Sequence, residues 1–258
     1  MVMLPTYNER ENIEFIIDRL LDMVNDPAFQ QTGFTDIQVL VVDDDSPDGT
    51  GRITEEIAKK NPGRVHVMHR LQRGRGTAGL EGLLFARQQE IACIIEMDAD
   101  FSHDPDLIIR FLKVIKETEI VIGSRYIRGG KTNQGWRRKL LSKAASIYLQ
   151  LLLGPRIKDW QSGFRCFRRE ALLPLDLLGM TQQRFSHEYA IGIGVLYRLV
   201  KSGHSYKEIP IEFTDRQKGR SKLSLRTILA YMGIAWALRF RNENKTKPVA
   251  DRLPQEVN

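Results

Sequence analysis

The sequence predicts an α/β protein with a mostly parallel central sheet flanked by helices. Apolar runs of strand length alternate with apolar stripes at helical spacing through the first half of the chain. The runs are continuous rather than alternating, which is the pattern of strands covered on both faces. Polar, carboxylate-rich clusters follow several of these runs, at the strand ends where open α/β sheets bind ligands. With 258 residues, 42% of them hydrophobic, the chain can bury a large core without disulfides or metals, and its length suits one large domain.

Taken in order, Val2–Leu4, Ile37–Val42, Val65–Met68, Ile91–Met97 and Ile120–Ile122 read as buried strands. Ile13, Ile16, Ile17, Leu20, Leu21 and Val24 mark one helix, and Leu107, Ile108, Phe111, Leu112 and Ile115 another. Pro62-Gly63 breaks the chain ahead of the third strand. Further on, a helix over Leu140–Leu153 ends at Gly154-Pro155. A strand near Phe164–Phe167, a helix over Glu188–Val200 and a strand over Ile209–Phe213 follow. The expected organisation is a catalytic domain over residues 1–222, an amphipathic helix over 223–241 and a polar, disordered tail over 242–258.

Cys93 and Cys166 are the only cysteines, which excludes a disulfide framework and a cysteine zinc site and points to a reducing cytoplasm. No basic-then-apolar leader opens the chain, so no secretion signal is expected. No window reaches the roughly 20 apolar residues of a spanning helix. The nearest, Leu223–Phe240, is interrupted by Arg226 and Arg239. The net charge of +7 is strongly segregated. No Asp or Glu occurs from Ile120 to Lys158, where Arg125, Arg128, Lys131, Arg137, Arg138, Lys139, Lys143, Arg156 and Lys158 stand, nor from Arg216 to Asn242. Carboxylates crowd into Asp36–Glu56 and Glu96–Asp106. Such segregation suggests one site for a cation and another for anions.

Three polar clusters follow strands: Pro5-Thr6-Tyr7-Asn8-Glu9, Asp43 through Thr50, and Asp98-Ala99-Asp100. They are expected to converge on one rim, where massed carboxylates need a cation or hydrogen-bond donors to offset them. Asp48 and Asp104 are the exceptions, read as ordinary helix-capping residues. Asp98 and Asp100 are two apart beyond an apolar run, so both carboxylates can face one hard cation. Magnesium takes one or two protein carboxylates and completes its shell with water and substrate phosphates. Gly74-Arg75-Gly76-Thr77-Ala78-Gly79 fits the dinucleotide fingerprint. It follows the third strand rather than the first, however, and leaves the other clusters without a role, so it reads better as a glycine-rich loop passing close to a sugar nucleotide. His103 and His187 lie near motifs, but a lone histidine is more often structural, and neither is assigned as a base.

Together, Pro5-Thr6-Tyr7-Asn8-Glu9, Val41-Val42-Asp43-Asp44-Asp45-Ser46-Pro47-Asp48-Gly49-Thr50, Met97-Asp98-Ala99-Asp100, Gly123-Ser124-Arg125-Tyr126, Ser162-Gly163-Phe164-Arg165 and Asp215-Arg216 through Lys222 occur in order. This combination resembles the polyprenol (dolichol) phosphate mannose synthases, among the inverting family 2 glycosyltransferases of GT-A fold, from Val2 to about Lys222. The resemblance implies that Pro5, Tyr7, Glu9, Val42 and Asp44 hold the base and ribose of the donor, with Asp43 close by. Asp98, Ala99 and Asp100 would meet the metal, Mg²⁺ or Mn²⁺, and the sugar diphosphate. Arg216 and Lys222 would grip the donor, and Arg125, Arg138 and Ser142 the acceptor phosphate. Asp98, Asp100 and Arg125 are the catalytic residues on this reading. Ser102 stands where many relatives carry Gln as a further metal ligand; its shorter hydroxyl leaves room for a water.

The expected chemistry is direct displacement with inversion, most simply of mannose from GDP-mannose onto a polyprenyl (dolichyl) monophosphate. An ionised phosphate acceptor needs positioning and charge neutralisation rather than a strong base, while the metal and Arg/Lys stabilise the departing diphosphate. The implied partners are a nucleotide-sugar donor, a polyprenyl phosphate acceptor, a membrane surface and a small membrane-anchoring subunit, with no nucleic acid. The expected location is cytoplasmic, peripheral at the cytoplasmic face of a membrane. Leu223–Phe240 is either a core-packed terminal helix or an interfacial one with Trp236 at headgroup depth. Within the family the alternative is a UDP-sugar donor, for example glucosyl. Outside it the alternative is a nucleotide-binding oxidoreductase, and a nucleic-acid binder ranks third.

Overall fold

A computed structural model describes residues 1–71, 73–181, 190–214, 233 and 235–240. Its centre is a seven-stranded sheet of β1 (Val2–Thr6), β2 (Val39–Asp43), β3 (Val65–His69), β4 (Cys93–Glu96), β5 (Ile120–Ser124), β7 (Arg165–Arg168) and β8 (Tyr206–Pro210). The spatial order is β3-β2-β1-β4-β7-β5-β8. All neighbours pair in parallel except β7, which runs antiparallel to both β4 and β5. The chain steps outward from β1 to β2 and β3, then returns to place β4 on the other side of β1. A crevice at the carboxyl ends of β1 and β4 follows from that reversal.

The continuous apolar runs are explained by two cores, one on each face. Met3, Leu40, Val42, Ile94, Ile120 and Ile122 belong to one cluster, and Val2, Leu4, Val39, Val41, Ile95 and Val121 to the other. Successive residues on a strand point to opposite faces, so an unbroken apolar strand serves both. The second cluster is covered by α1 (Ile13–Asp22), the short α2 (Pro27–Gln30), α3 (Thr50–Lys60) and α5 (Ile108–Val114). The first is covered by α4 (Arg75–Ala86), α6 (Trp136–Leu153), α7 (Arg169–Leu172), α8 (Leu177–Thr181) and α9 (Ala190–Lys201). Cys93 and Cys166 are free and buried on adjacent strands β4 and β7.

Two expectations are revised. The glycine-rich stretch is not a loop: α4 begins at Arg75, so Gly76 and Gly79 are helical. Glycines in a helix cost about 1 kcal/mol each relative to Ala, and here they let α4 lie directly on the sheet. A Cβ at Gly79 would come 3.0 Å from Glu96 Oε1, and one at Gly82 would collide with Met3 Sδ and sit 3.1 Å from Val42 Cγ2. Gly79 and Gly82 therefore serve helix–sheet packing. The strand expected over Ile209–Phe213 is two pieces. β8 ends at Pro210, and β9 (Glu212–Phe213) leaves the sheet to pair in parallel with β6 (Lys131–Thr132).

Among the described residues no helix is long and apolar enough to cross a membrane. Most of Leu223–Phe240 lies outside the described residues, as does the tail over 242–258. Residues 235–240 are helical and divided between the two readings: Ala235 and Leu238 are buried in the core, while Trp236 and Phe240 are exposed.

Candidate active site

The three polar clusters do converge. After β1, the Asn8 amide donates to Ser46 Oγ at 3.0 Å, the Glu9 amide to Thr50 Oγ1 at 3.0 Å and the Arg10 amide to Asp48 Oδ2 at 3.1 Å. These bonds lock the loop after β1 to the loop after β2. Asp48 also accepts from the Thr50 amide and hydroxyl at the start of α3, the capping role expected of it. Asn8, Asp45 and Phe101 have φ of 60°, 52° and 57°. They are the positive-φ residues other than glycine among those described, and one lies on each loop, after β1, β2 and β4. Left-handed backbone at a non-glycine residue is unfavourable, and its concentration on one rim marks the functional end of the sheet.

On the donor side, Tyr7 presents a part-exposed ring with the Arg73 guanidinium 4.6 Å from its centroid. Pro5 is half-buried beside it. Glu9 accepts from Asn12 Nδ2 at 2.9 Å. Val42 has its side chain wholly in the core, so only its backbone can reach a ligand. Asp43 is buried and already holds the loop, accepting from Thr6 Oγ1 at 3.2 Å, Ser46 Oγ at 2.6 Å and the Ser46 amide at 3.1 Å. Asp44 is paired with Arg70 and accepts from the Gly74 amide at 2.8 Å. Arg70, itself buried, forks onto Glu81 at 3.0 Å through Nε and Nη2 and reaches Thr77 Oγ1 at 2.7 Å. The Asp44 carboxylate thus fastens the β2 loop to the start of α4.

Beyond β4, Asp98 and Asp100 stand together near the buried His103, both close enough to act on its charge. The Asp98 amide donates to His103 Nδ1 at 3.1 Å, which leaves the ring proton on Nε2. Burial holds the His103 pKa below the usual histidine range, and the ring stacks on Phe164 and meets Phe213 edge-on. His103 is therefore a neutral post under the loop, as its structural reading expected. Asp100 Oδ1 accepts from the Ser102 amide at 3.0 Å. Ala99 is buried. The Ser102 hydroxyl is buried with no hydrogen-bond partner among the described residues, an unsatisfied oxygen two residues beyond Asp100. This all-oxygen set suits a hard divalent cation that draws its remaining ligands from a diphosphate. Arg75, at the first turn of α4, forms an ion pair with Asp98. Burial raises the pKa of Glu96, two residues earlier, an effect that Arg165 and Arg75 oppose.

On the acceptor side, protein groups engage the expected residues. Arg125 is held by Asp159, a fully buried carboxylate that closes the acid-free run, through Nε at 2.7 Å and Nη2 at 2.8 Å. Asp159 also accepts from the Arg125 amide at 3.0 Å, and its own amide donates to Glu208 at 3.1 Å. Ser142 is buried on α6, where its hydroxyl accepts from Tyr126 Oη at 2.7 Å and donates to Gln161 Oε1 at 2.9 Å. Arg138 lies one turn earlier on the same helix, close enough to Tyr126 to act on its charge. Lys131, Lys143 and Lys158 are exposed, as their solvated reading expected. A crevice lies between α4, β4, β7 and α9: Arg75, Gly79, Glu96, Gln161, Gly163 and Arg165 all line it.

The structure thus gathers Pro5, Tyr7, Glu9, Asp43, Asp44, Asp98, Asp100 and Ser102 on one rim. Arg125, Arg138 and Ser142 lie on the neighbouring α6 side. Arg216 and Lys222 fall outside the described residues. Sequence reasoning missed Arg70, Arg75, Asp159 and Gln161. Arg75 stands within the glycine motif, and Asp159 carries one signal, the first acid after a long basic run.

Residues 1–174 match the model described as glycosyl transferase family 2. The chain is 40% identical over 227 residues to the polyprenol monophosphomannose synthase of Mycolicibacterium smegmatis, covering 87% of this chain and 80% of that protein. It is 35% identical over 226 residues to the undecaprenyl-phosphate mannosyltransferase of Micrococcus luteus, covering 87% of each. Against the dolichol-phosphate mannosyltransferase of Pyrococcus furiosus it is 34% identical over 90% of this chain, but spans only 61% of that protein. Among solved structures, glucosyl-3-phosphoglycerate synthase from Mycobacterium tuberculosis superposes with a TM-score of 0.60 at 20% identity, over 92% of this chain and 79% of that one. A mannosyltransferase from Pyrobaculum calidifontis, solved with GDP-Man and Mn²⁺, gives 0.57 at 19% identity over 93% and 64%. At such identities these structures speak for the fold, which is the GT-A arrangement expected from the motifs. The matched region, the sheet order and the Asp98–Asp100 rim agree, and the chain belongs to glycosyl transferase family 2.

Proposed function

We propose that this chain transfers mannose from GDP-mannose to a polyprenyl monophosphate, with inversion at the anomeric carbon. The observation that carries the reading is the position of Gln161. It receives the hydrogen bond of Ser142 on α6 and lines the crevice that reaches Arg75 and Glu96 beneath the Asp98 rim. A donor held on the rim and an acceptor phosphate held by α6 would meet there. The names of the relatives from Mycolicibacterium smegmatis and Micrococcus luteus support the same sugar and class of acceptor.

Asp98, Asp100 and Ser102 are the residues that would hold Mg²⁺ or Mn²⁺. Such an ion, when bound, supplies positive charge against the departing diphosphate. The protein supplies the rest. Tyr7 offers a flat face for the base, and the linked loops after β1 and β2 fix the edge against which the nucleoside lies. Arg138 and Ser142 orient the acceptor phosphate, already anionic, in line with the anomeric carbon. Arg125 is a positioning residue on this reading, since Asp159 holds its guanidinium. Arg216 and Lys222 complete the grip on the donor.

The acceptor is a lipid, and α6 carries a face suited to one. Trp136, Leu140, Ile147 and Leu151 recur at helical spacing along it, all exposed, with Leu141 alongside. Arg137, Lys139 and Lys143 lie exposed among them. The buried face of the same helix carries Ser142, Ser146, Leu149 and Leu153. One helix would thus serve both the acceptor site and an anionic membrane surface, which supports a peripheral position on the cytoplasmic leaflet. A small membrane subunit would dock on this same face.

The test is sugar transfer to a short polyprenyl phosphate from GDP-mannose and from UDP-glucose, with and without Mg²⁺ or Mn²⁺. Metal-dependent transfer from GDP-mannose is expected. Preference for UDP-glucose would replace the donor, and metal-independent transfer would remove the ion from the site.

A further inference from the structure

We propose that Arg75 is a resident counter-ion of the Asp98–Asp100 pair, one that a divalent cation must displace from Asp98 and that makes cation and donor diphosphate bind in concert. The inference rests on the metal site described above. Arg75 occupies the first helical position of α4, directly after Gly74. A cation there opposes the helix dipole, which favours negative charge at an N-terminus, and the first turn of α4 contains no acidic residue. The compensating charge comes from outside the helix, in the ion pair with Asp98.

Two features hold the guanidinium in that place. The Gly74 amide is pinned to Asp44 Oδ2 at 2.8 Å, which anchors the backbone from which Arg75 reaches. On the far side, Gly163 leaves the space the guanidinium fills: a Cβ there would lie 2.6 Å from Arg75 Nη2. The side chains of Arg75 and Asp98 are 26% and 16% exposed, so their attraction is only partly screened by solvent.

A guanidinium on Asp98 and a divalent ion on the same carboxylate repel each other. A cation arriving alone must therefore give up the pair and leave Arg75 to the field of Glu96, whose charge burial opposes. A cation arriving with a diphosphate brings a full counter-charge with it. Arg75 thereby makes metal binding weak without nucleotide and stronger with it, and by linkage the reverse also holds.

The experiment titrates Mn²⁺ against wild type, R75Q and R75K, with and without GDP, following free Mn²⁺ by electron paramagnetic resonance. Near-ultraviolet circular dichroism confirms that each variant is folded. R75Q is expected to bind Mn²⁺ about tenfold more tightly than wild type without GDP, within the usual range of coupling between sites. R75K, which keeps the charge, should fall between them. GDP should tighten Mn²⁺ binding in wild type by a larger factor than in R75Q, and R75Q should bring no gain in a D98N background. Equal affinity in wild type and R75Q, or an equal enhancement by GDP, overturns the counter-ion role. If D100N binds Mn²⁺ as wild type does, the metal site and this inference fall together. If D100N loses binding while R75Q changes nothing, only the inference falls.

Discussion

The Arg125 guanidinium and the Asp159 carboxylate meet through two parallel hydrogen bonds, Nε to Oδ2 at 2.7 Å and Nη2 to Oδ1 at 2.8 Å. Asp159 is fully buried and the Arg125 side chain is 9% exposed. Removing one member of such a pair leaves an uncompensated charge, which costs about 3–5 kcal/mol. Asp159→Ala should lower stability by that order in denaturant unfolding. Arg125→Met combined with Asp159→Leu should lose less than the sum of the two single changes, because neither charge is then stranded.

Asp100→Asn keeps the acceptor that receives the Ser102 amide while removing the negative charge. The expected result is a loss of transfer of at least about 10²-fold, the scale of losing one charge-stabilising group, with an unchanged melting temperature. Near-normal transfer would remove Asp100 from the mechanism.

Gly82 faces Met3 so closely that any side chain would overlap it. Gly82→Ala should destabilise the fold by about 1–3 kcal/mol, as overpacking does, despite the better helix propensity of alanine. Thermal unfolding measures this directly, and a stabilised variant would show that α4 can lift from β1 without cost.

The Glu119 carboxylate is pulled down to a pKa of about 2, first by the Ser205 amide and then by His204. It ties the residue ahead of β5 to the residue ahead of β8. Its folded pKa lies below the ordinary glutamate value of 4.5, so its contribution is complete above that value. It is lost as pH falls towards about 2, because the unfolded state takes up the proton first. Glu119→Gln should flatten stability across that window in acid-titrated unfolding and change little near neutrality.

Replacing Leu140 and Leu151 with Glu should abolish sedimentation with anionic vesicles while leaving the melting temperature nearly unchanged, since both side chains are exposed. Alanine at Arg137, Lys139 and Lys143 should weaken binding by about 1 kcal/mol per charge at low salt, and the difference should shrink as salt is added. Undiminished vesicle binding in both sets would move the membrane contact off α6.

The residue sequence by itself determined the sheet, because Val39–Val42 and Val2–Leu4 beside it are buried on both faces and are apolar at every position. It also determined the three rim clusters, since residues just past a strand end need not pack and are left to bind. Helix ends were legible for the same local reasons, as at Gly154, whose φ of 95° suits glycine. Tertiary structure alone decided which charges meet. Arg70 and Asp44 are far apart in sequence, as are Arg125 and Asp159, and only the sheet order brings them together. Likewise the stretch Gly74–Gly79 reads locally as a glycine-rich loop, and only the structure shows that α4 begins at Arg75 and that Gly79 packs against Glu96. Local pattern reports whether a residue is buried or exposed. The identity of its partner depends on long-range chain crossing, which no local pattern contains.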